Sequence, residues 1–434
     1  MIMQLNNVWW NRRKHRKQRV RSGQKSLSLL PLFTPVLFVF FSPLSLKAED
    51  FKLSDGDRVV LIGGTLIERE QESGYWETAQ TTRFPGQNIT FRNLGWSGDT
   101  VFCDARAMFD RPAVGLQHLK DDLARLKPTV ILVGYGMNES FDGEAGLPHF
   151  QKGLASLLDM LASTKARIVI LSPPPQEDIG WRLPDPAKHN RDLELYADAL
   201  RLEAKKRCHL FVDLFNLLRG EAQMPFPRFF TDNGIHFTDL GYWRSTTILE
   251  QALGAKERPW RIEIEKGAMV RKDEGVELSK VESGPLRFQV KDGMLPDALS
   301  PQQPLLKGSE RDAMSKRLIR VSGLWPGQYS LRIDGREVAV ESAGKWADGV
   351  RLPRGPEFDQ VEKLRQTIVE KNRLFFHRWR PQNETYIYGF RKHEQGQNAR
   401  EIPEFDPLIV QLEKKIAELR VPVVHQYELT ATKK

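Results

Sequence analysis

The stretch VVLIGGTLIERE, residues 59–70, decides the fold. Four apolar residues, Val59 to Ile62, run into Gly63 and Gly64, and Thr65 opens a segment with helical character. A short apolar run stopped by glycine and followed by a helix pattern reads as a buried strand turning into a helix. Four further runs repeat the theme: ITFRNLG (89–95), TVILVGYG (129–136), RIVILS (167–172) and HLFVDLF (209–215). Periodic segments lie between them. In GLASLLDMLAS, Leu154, Leu157, Leu158 and Leu161 share one helix face at i, i+3, i+4 and i+7. Apolar strands alternating with helices from residue 57 to about 254 predict a parallel sheet covered on both faces. Such sheets place ligand sites at the carboxyl ends of their strands.

Beyond ERPWRIEIE the texture changes. Segments such as GPLRFQVKDGML and LIRVSGLWPGQYSLRIDGREVAVES alternate in polarity and are punctuated by Pro-Gly and Asp-Gly pairs. They predict a small antiparallel β domain over 256–350. From 351 to 434 the pattern turns helical again, in FDQVEKLRQTIVEKNRLFFHRW and PLIVQLEKKIAELR. Between these helices lies a polar stretch rich in Arg, Asn, Gln and aromatic residues, which suits an intrachain interface or sugar recognition.

The net charge of +9 invites a nucleic-acid reading, but its location removes it. Residues 1–48 hold nine Lys/Arg and no Asp or Glu, and the remainder is balanced at 56 basic and 56 acidic residues. A balanced body carries no electrostatic footprint for a phosphate backbone. The same first 48 residues combine a basic segment (NRRKHRKQRVR), an apolar run (29–46) and a small residue, Ala48. That is the form of a signal peptide, so the protein is expected to be exported, with no integral span after its removal. Cys103 and Cys208 either pair, which export permits, or remain two free buried thiols. The oligomeric state is left open.

Four places follow strand ends: Gly63-Gly64-Thr65, then NLGWSGDT with Gly98 and Asp99, then GYGMNES with Asn138, and finally TDNGIHFTDLGY with Asp232, Asn233 and His236. Ester hydrolysis needs a hydroxyl to attack the carbonyl, an imidazole to take its proton, and N–H donors for the oxyanion. Thr65, His236, Gly98 and Asn138 are the types those roles require. Each also has a plainer reading. Thr65 suits a helix cap, and Gly98-Asp99 and Asn233-Gly234 suit turns.

These four blocks, in this order, resemble the SGNH, or GDSL-like, hydrolases. The resemblance covers about 200 residues. It implies a flavodoxin-like three-layer α/β/α fold over 49–255 and hydrolysis of an ester, such as an O-acyl (acetyl) group on a glycan, with no metal or organic cofactor. The family's Gly-Asp-Ser is matched by Gly63-Gly64-Thr65, its second glycine by Gly98, its Gly-x-Asn-Asp by Gly136-Met137-Asn138-Glu139, and its Asp-x-x-His by Asn233-Gly234-Ile235-His236. Thr65, Asn138, Gly98, Asn233 and His236 thus become the catalytic candidates, with Gly64, Asp99 and Asp232 as substrate contacts. Two positions depart from the pattern. Threonine replaces the nucleophilic serine, and its methyl stiffens χ1. Asparagine replaces the aspartate that orients the histidine, and it carries no full charge; Asp232 and Asp239 are the neighbouring carboxylates. The rival expectation is therefore a catalytically impaired module of the same fold that binds glycans or serves the cell envelope.

Overall fold

The computed structural model describes residues 51–108, 110–180, 184–219, 229–305, 309–387, 389–394 and 398–432. The expected signal segment lies outside them. Five strands, β1 (Arg58–Gly63), β2 (Thr90–Gly95), β3 (Val130–Gly134), β4 (Arg167–Leu171) and β5 (Leu210–Val212), form a parallel sheet in the order β2-β1-β3-β4-β5. Successive side chains alternate between its faces. Val60, Ile62, Ile131, Val133, Ile168 and Ile170 meet Leu154, Leu157, Leu158 and Leu161 of the helix Gly143–Ala162 on one face. Val59, Leu61, Val130, Leu132, Val169 and Leu171 meet Ile67, Ile248 and Leu249 on the other. The expected three-layer α/β/α architecture is present. The last run is shorter than expected, because Leu214 and Phe215 belong to the helix Leu214–Arg219 rather than to β5.

One detail of the sheet places the site. Gly63, Gly95 and Gly134 end three adjacent strands in register, Gly63 facing both of the others. A Cβ on Gly63 would overlap the Gly134 carbonyl, and one on Gly95 would overlap the backbone of Glu68. The missing side chains let the helix Thr65–Ser73 start directly over the strand ends, with Ile67 seated on Gly134.

The β region differs from a purely antiparallel domain. Strands β6 (Arg261–Glu265), β7 (Met269–Glu274), β8 (Val276–Ser283), β9 (Leu286–Asp292), β10 (Leu318–Ser322), β11 (Gln328–Ile333), β12 (Arg336–Ser342), β13 (Val350–Arg351) and β14 (Val424–Ala431) form two sheets, ordered β13-β10-β6-β7 and β12-β11-β14-β9-β8. β6 and β10 pair in parallel. The Asp334-Gly335 pair makes the expected tight hairpin, both residues lying at positive φ. β14 comes from the chain's end and inserts between β11 and β9. Its Tyr427 and Leu429 join Ile262, Phe288, Ile319 and Leu331 in one apolar core. The segment 351–434 is thus not helical throughout, and it is not peripheral.

Its helices, Pro356–Trp379 and Phe405–Leu419, pack beside the edge strand β2. Phe375 and Ile409 enter the core of the α/β/α domain. Lys371 donates to both carboxylate oxygens of Glu77 at 2.7 Å and to the Phe91 carbonyl at 3.1 Å, all buried. Arg92 of β2 pairs with Glu413 at 2.7 Å. Both cysteines are free, with Cys103 buried and Cys208 exposed, against the expectation of either a pair or two buried thiols.

Near this ion pair, burial, and then the charge of Glu77, push the Glu70 carboxyl up to about 8. A folded-state value above the unfolded one means that its stabilising contribution is complete below the unfolded value, 4.5, and is lost as pH rises through about 8. Glu70→Gln is expected to flatten this fall in stability between those limits. Urea midpoints at the two ends of the window check it; an unchanged slope would contradict the assignment.

Candidate active site

Thr65 is the first residue of its helix, with Gly64 as the N-cap and no side-chain cap hydrogen bond. The capping role therefore fails for Thr65. Its Oγ1 instead accepts a hydrogen bond from the Gly98 backbone N–H at 3.4 Å. Gly98 sits at φ +78° with open space around it, so the backbone conformation, not crowding, requires glycine here. The Asp99 N–H donates to the Trp96 carbonyl at 3.0 Å and closes the turn.

Asn138 donates through Nδ2 to the Asp99 carbonyl at 2.8 Å, tying the second block to the third. A Cβ on Gly64 would lie 3.3 Å from that same carbonyl and 3.4 Å from Asn138 Nδ2. Gly64 thus acts by leaving room for the amide. Thr65, Asn138, His236, Met137, Phe141 and Pro173 are among the residues around a cavity of about 120 Å³ at the carboxyl edge of the sheet. The structure brings together the candidates for hydroxyl, amide and imidazole. Thr65 and His236 face the same space without a direct hydrogen bond.

His236 is half-buried, and burial and then Arg69 hold its imidazole below the usual histidine value while Asp232 opposes them. The imidazole is therefore neutral at pH 7, and its tautomer depends on Asn233. Asn233 Oδ1 accepts from the backbone N–H groups of Ile235 at 3.1 Å and His236 at 2.8 Å. Those two donors fix the amide, and its Nδ2 faces His236 Nδ1 at 3.1 Å. An amide NH₂ can only donate, so Nδ1 accepts and the ring proton sits on Nε2. An aspartate would do the opposite, accepting from Nδ1–H and leaving Nε2 free as a base.

Two expected substrate contacts are otherwise engaged. Asp99 is only 1% exposed, and its carboxylate accepts through Oδ2 from Arg106 Nε at 2.7 Å and Tyr135 OH at 2.9 Å and through Oδ1 from Ala105 N–H at 3.3 Å. It braces the turn and offers the cavity no free carboxylate oxygen. Asp232 pairs with Arg69 at 2.7 Å, so it does not orient His236 in place of Asn233.

The sequence reading passed over several residues that hold the site. Glu139 accepts from Val101 N–H and Gly136 N–H, both at 2.9 Å, and burial pushes its carboxyl up to about 7. Glu68 accepts from Ser97 N–H at 2.8 Å and Ser97 Oγ at 2.9 Å. Arg380, at the end of the long C-terminal helix, donates to Glu68 at 2.6 Å and stacks 3.6 Å from the Trp96 ring centre. The polar stretch after that helix is thus partly an intrachain interface with the Trp96–Asp99 turn. Its signal was a Glu-Arg pairing 312 residues apart, which no local pattern announces.

Residues 67–244 match the model of the GDSL-like lipase/acylhydrolase family. The match contains Gly98, Asn138, Asn233 and His236 and begins just after Thr65. Among solved structures, a gut microbial diltiazem-metabolizing enzyme superposes with a TM-score of 0.69 at 20% identity, covering 89% of this chain and 100% of its own. The acetylxylan esterase Axe2 from Geobacillus stearothermophilus gives a TM-score of 0.39 at 17% identity over 47% of this chain and 97% of its own. An α/β hydrolase from the metagenome of Lake Arreo, Spain, gives 0.38 at 20% identity over 46% and 97%. No curated protein matches the chain.

Proposed function

We propose that this chain, whose residues 67–244 match the GDSL-like lipase/acylhydrolase family, is an exported hydrolase of short-chain esters, acting on O-acetyl groups of glycans. The observation that carries this reading is the convergence of Thr65, Asn138 and His236 on one small cavity. Its size suits a short acyl group better than a fatty chain. Export rests on the basic, apolar and small-residue pattern of residues 1–48.

In the proposed reaction Thr65 Oγ1 attacks the ester carbonyl while its proton passes to His236 Nε2. The Gly98 N–H leaves Thr65 for the developing oxyanion, and the second N–H of the Asn138 amide joins it. The C–O bond to the alcohol then breaks, and the departing oxygen takes the proton from His236. Water repeats the sequence on the acyl-threonine and releases the acid. This path needs the lone pair of Nε2, whereas Asn233 favours a proton there. Asn233 therefore lowers turnover by populating the unproductive tautomer.

That same geometry favours a second reading, a binding module that holds an ester without cleaving it. With Nε2–H as a donor, His236, Asn138 and Gly98 all present N–H groups to a carbonyl. Acetate release from an O-acetylated xylan and from an aryl acetate, compared between wild type and Thr65→Ala, separates the two. Loss of release in the variant supports the hydrolase; equal background rates in both proteins favour the binding module.

A further inference from the structure

Phe141 is 59% exposed at the mouth of the candidate cavity, three residues after Asn138. A lone surface aromatic needs no explanation, but this ring is held in one orientation. It stacks on His189 with centroids 4.1 Å apart and planes at 24°. His189 is pinned at both ring nitrogens, Nε2 to Ser140 Oγ at 2.8 Å and Nδ1 to Gln176 Oε1 at 2.6 Å. Gln176 is fixed in turn by Asn190, which accepts from its backbone N–H and donates to its carbonyl, both at 2.8 Å. Among the described residues no second ring stacks on Phe141, and its high exposure leaves ring surface open beside the cavity.

We propose that the free face of Phe141 is a platform for the pyranose ring that carries the ester. A pyranose presents C–H groups from one face and hydroxyls around its rim, so it stacks on a flat apolar ring while its polar edge stays wet. The spacing along the chain sets the geometry. Phe141 follows Asn138 in a single turn, with its N–H on the Asn138 carbonyl at 3.3 Å, so a ring stacked there keeps its acyl substituent beside the amide. This inference rests on the ester reading for what enters the cavity; the platform itself is a binding claim that can be tested without turnover.

The experiment uses the full chain with methyl 3-O-acetyl-β-xylopyranoside as the sugar probe and ethyl acetate as the sugar-free ester. Binding of the pyranoside is measured by saturation-transfer NMR to Thr65→Ala and to Thr65→Ala/Phe141→Ala. Removing a stacking face is expected to weaken the pyranoside by about five- to tenfold, and Phe141→Trp in the same background is expected to restore it. In the Thr65-containing enzyme, Phe141→Ala is expected to lower the ratio of kcat/KM for the pyranoside to that for ethyl acetate by a similar factor. Equal binding with and without Phe141, or no pyranoside binding to Thr65→Ala, overturns the platform. Phe141-dependent binding in a protein that hydrolyses neither ester overturns the ester reading and supports the platform.

Discussion

Asn233→Asp is expected to raise kcat/KM on aryl acetates by about 10- to 100-fold, roughly 1–3 kcal/mol of transition-state stabilisation. The backbone N–H groups of Ile235 and His236 hold one side of residue 233, so the other side must face His236 Nδ1. As an amide it donates, and the ring proton is driven to Nε2. As a carboxylate it accepts, the proton moves to Nδ1, and Nε2 becomes the base that Thr65 requires. The carboxylate also stabilises the imidazolium formed during attack. The pH profile separates these effects from mere tightening. The wild-type imidazole is held below its usual value, chiefly by burial, so activity is retained to lower pH and is lost when the ring protonates. A new carboxylate raises that limit, so the acid limb of the variant moves to higher pH. Thr65→Ser, which removes the hindering methyl, is expected to add to the gain. Unchanged rates for Asn233→Asp with an unmoved acid limb would show that residue 233 does not set the tautomer.

The largest stability effect is expected at Arg106. Its guanidinium is buried against Asp99 at 2.7 Å and donates to the Leu94 carbonyl at 2.6 Å. Burial raises the Asp99 carboxyl even though Arg106 and Tyr135 oppose the shift, so the charge there depends on its partners. Arg106→Met leaves a buried carboxylate with the Tyr135 hydroxyl and the Ala105 N–H. A cost of about 3–5 kcal/mol is expected from breaking such a pair. Asp99→Leu placed on Arg106→Met is expected to recover part of the loss, since it removes the stranded charge. Denaturant unfolding of the single and double variants measures both. A single variant within about 1 kcal/mol of wild type would contradict the network's role. Because the Asp99 carbonyl holds the Asn138 amide, Arg106→Met is also expected to lower activity at temperatures where it remains folded.

How much of this was legible in the sequence depends on the range of each interaction. Val59–Ile62, Ile131–Val133 and Ile168–Leu171 announce buried strands because both their faces are covered, and that leaves an uninterrupted apolar run. Thr65, Asn138 and His236 stand out as candidates in the sequence because parallel strands bring their carboxyl ends to one edge, where the three line one cavity. The Asp334-Gly335 hairpin was legible because its chemistry lies in the two turn residues. β14 was not legible as the middle strand of a sheet, since its partners β9 and β11 lie far back in the chain and its outward residues Gln426, Glu428 and Thr430 are polar. Arg380 read as one more charge in a polar stretch until Glu68 and Trp96 were placed beside it. Asn233 was identified, but the direction of its amide follows from two backbone donors that only the folded turn supplies.

The central claim is that the Thr65 hydroxyl attacks an ester in the cavity it shares with His236. Intact-mass and peptide mapping of the protein mixed rapidly with 4-nitrophenyl acetate tests it most directly. An acetyl group on Thr65 that forms and decays during turnover, and is absent from Thr65→Ala together with the enzyme-dependent rate, is the expected result. Undiminished hydrolysis by Thr65→Ala, or turnover with the acetyl group on another residue, would contradict it.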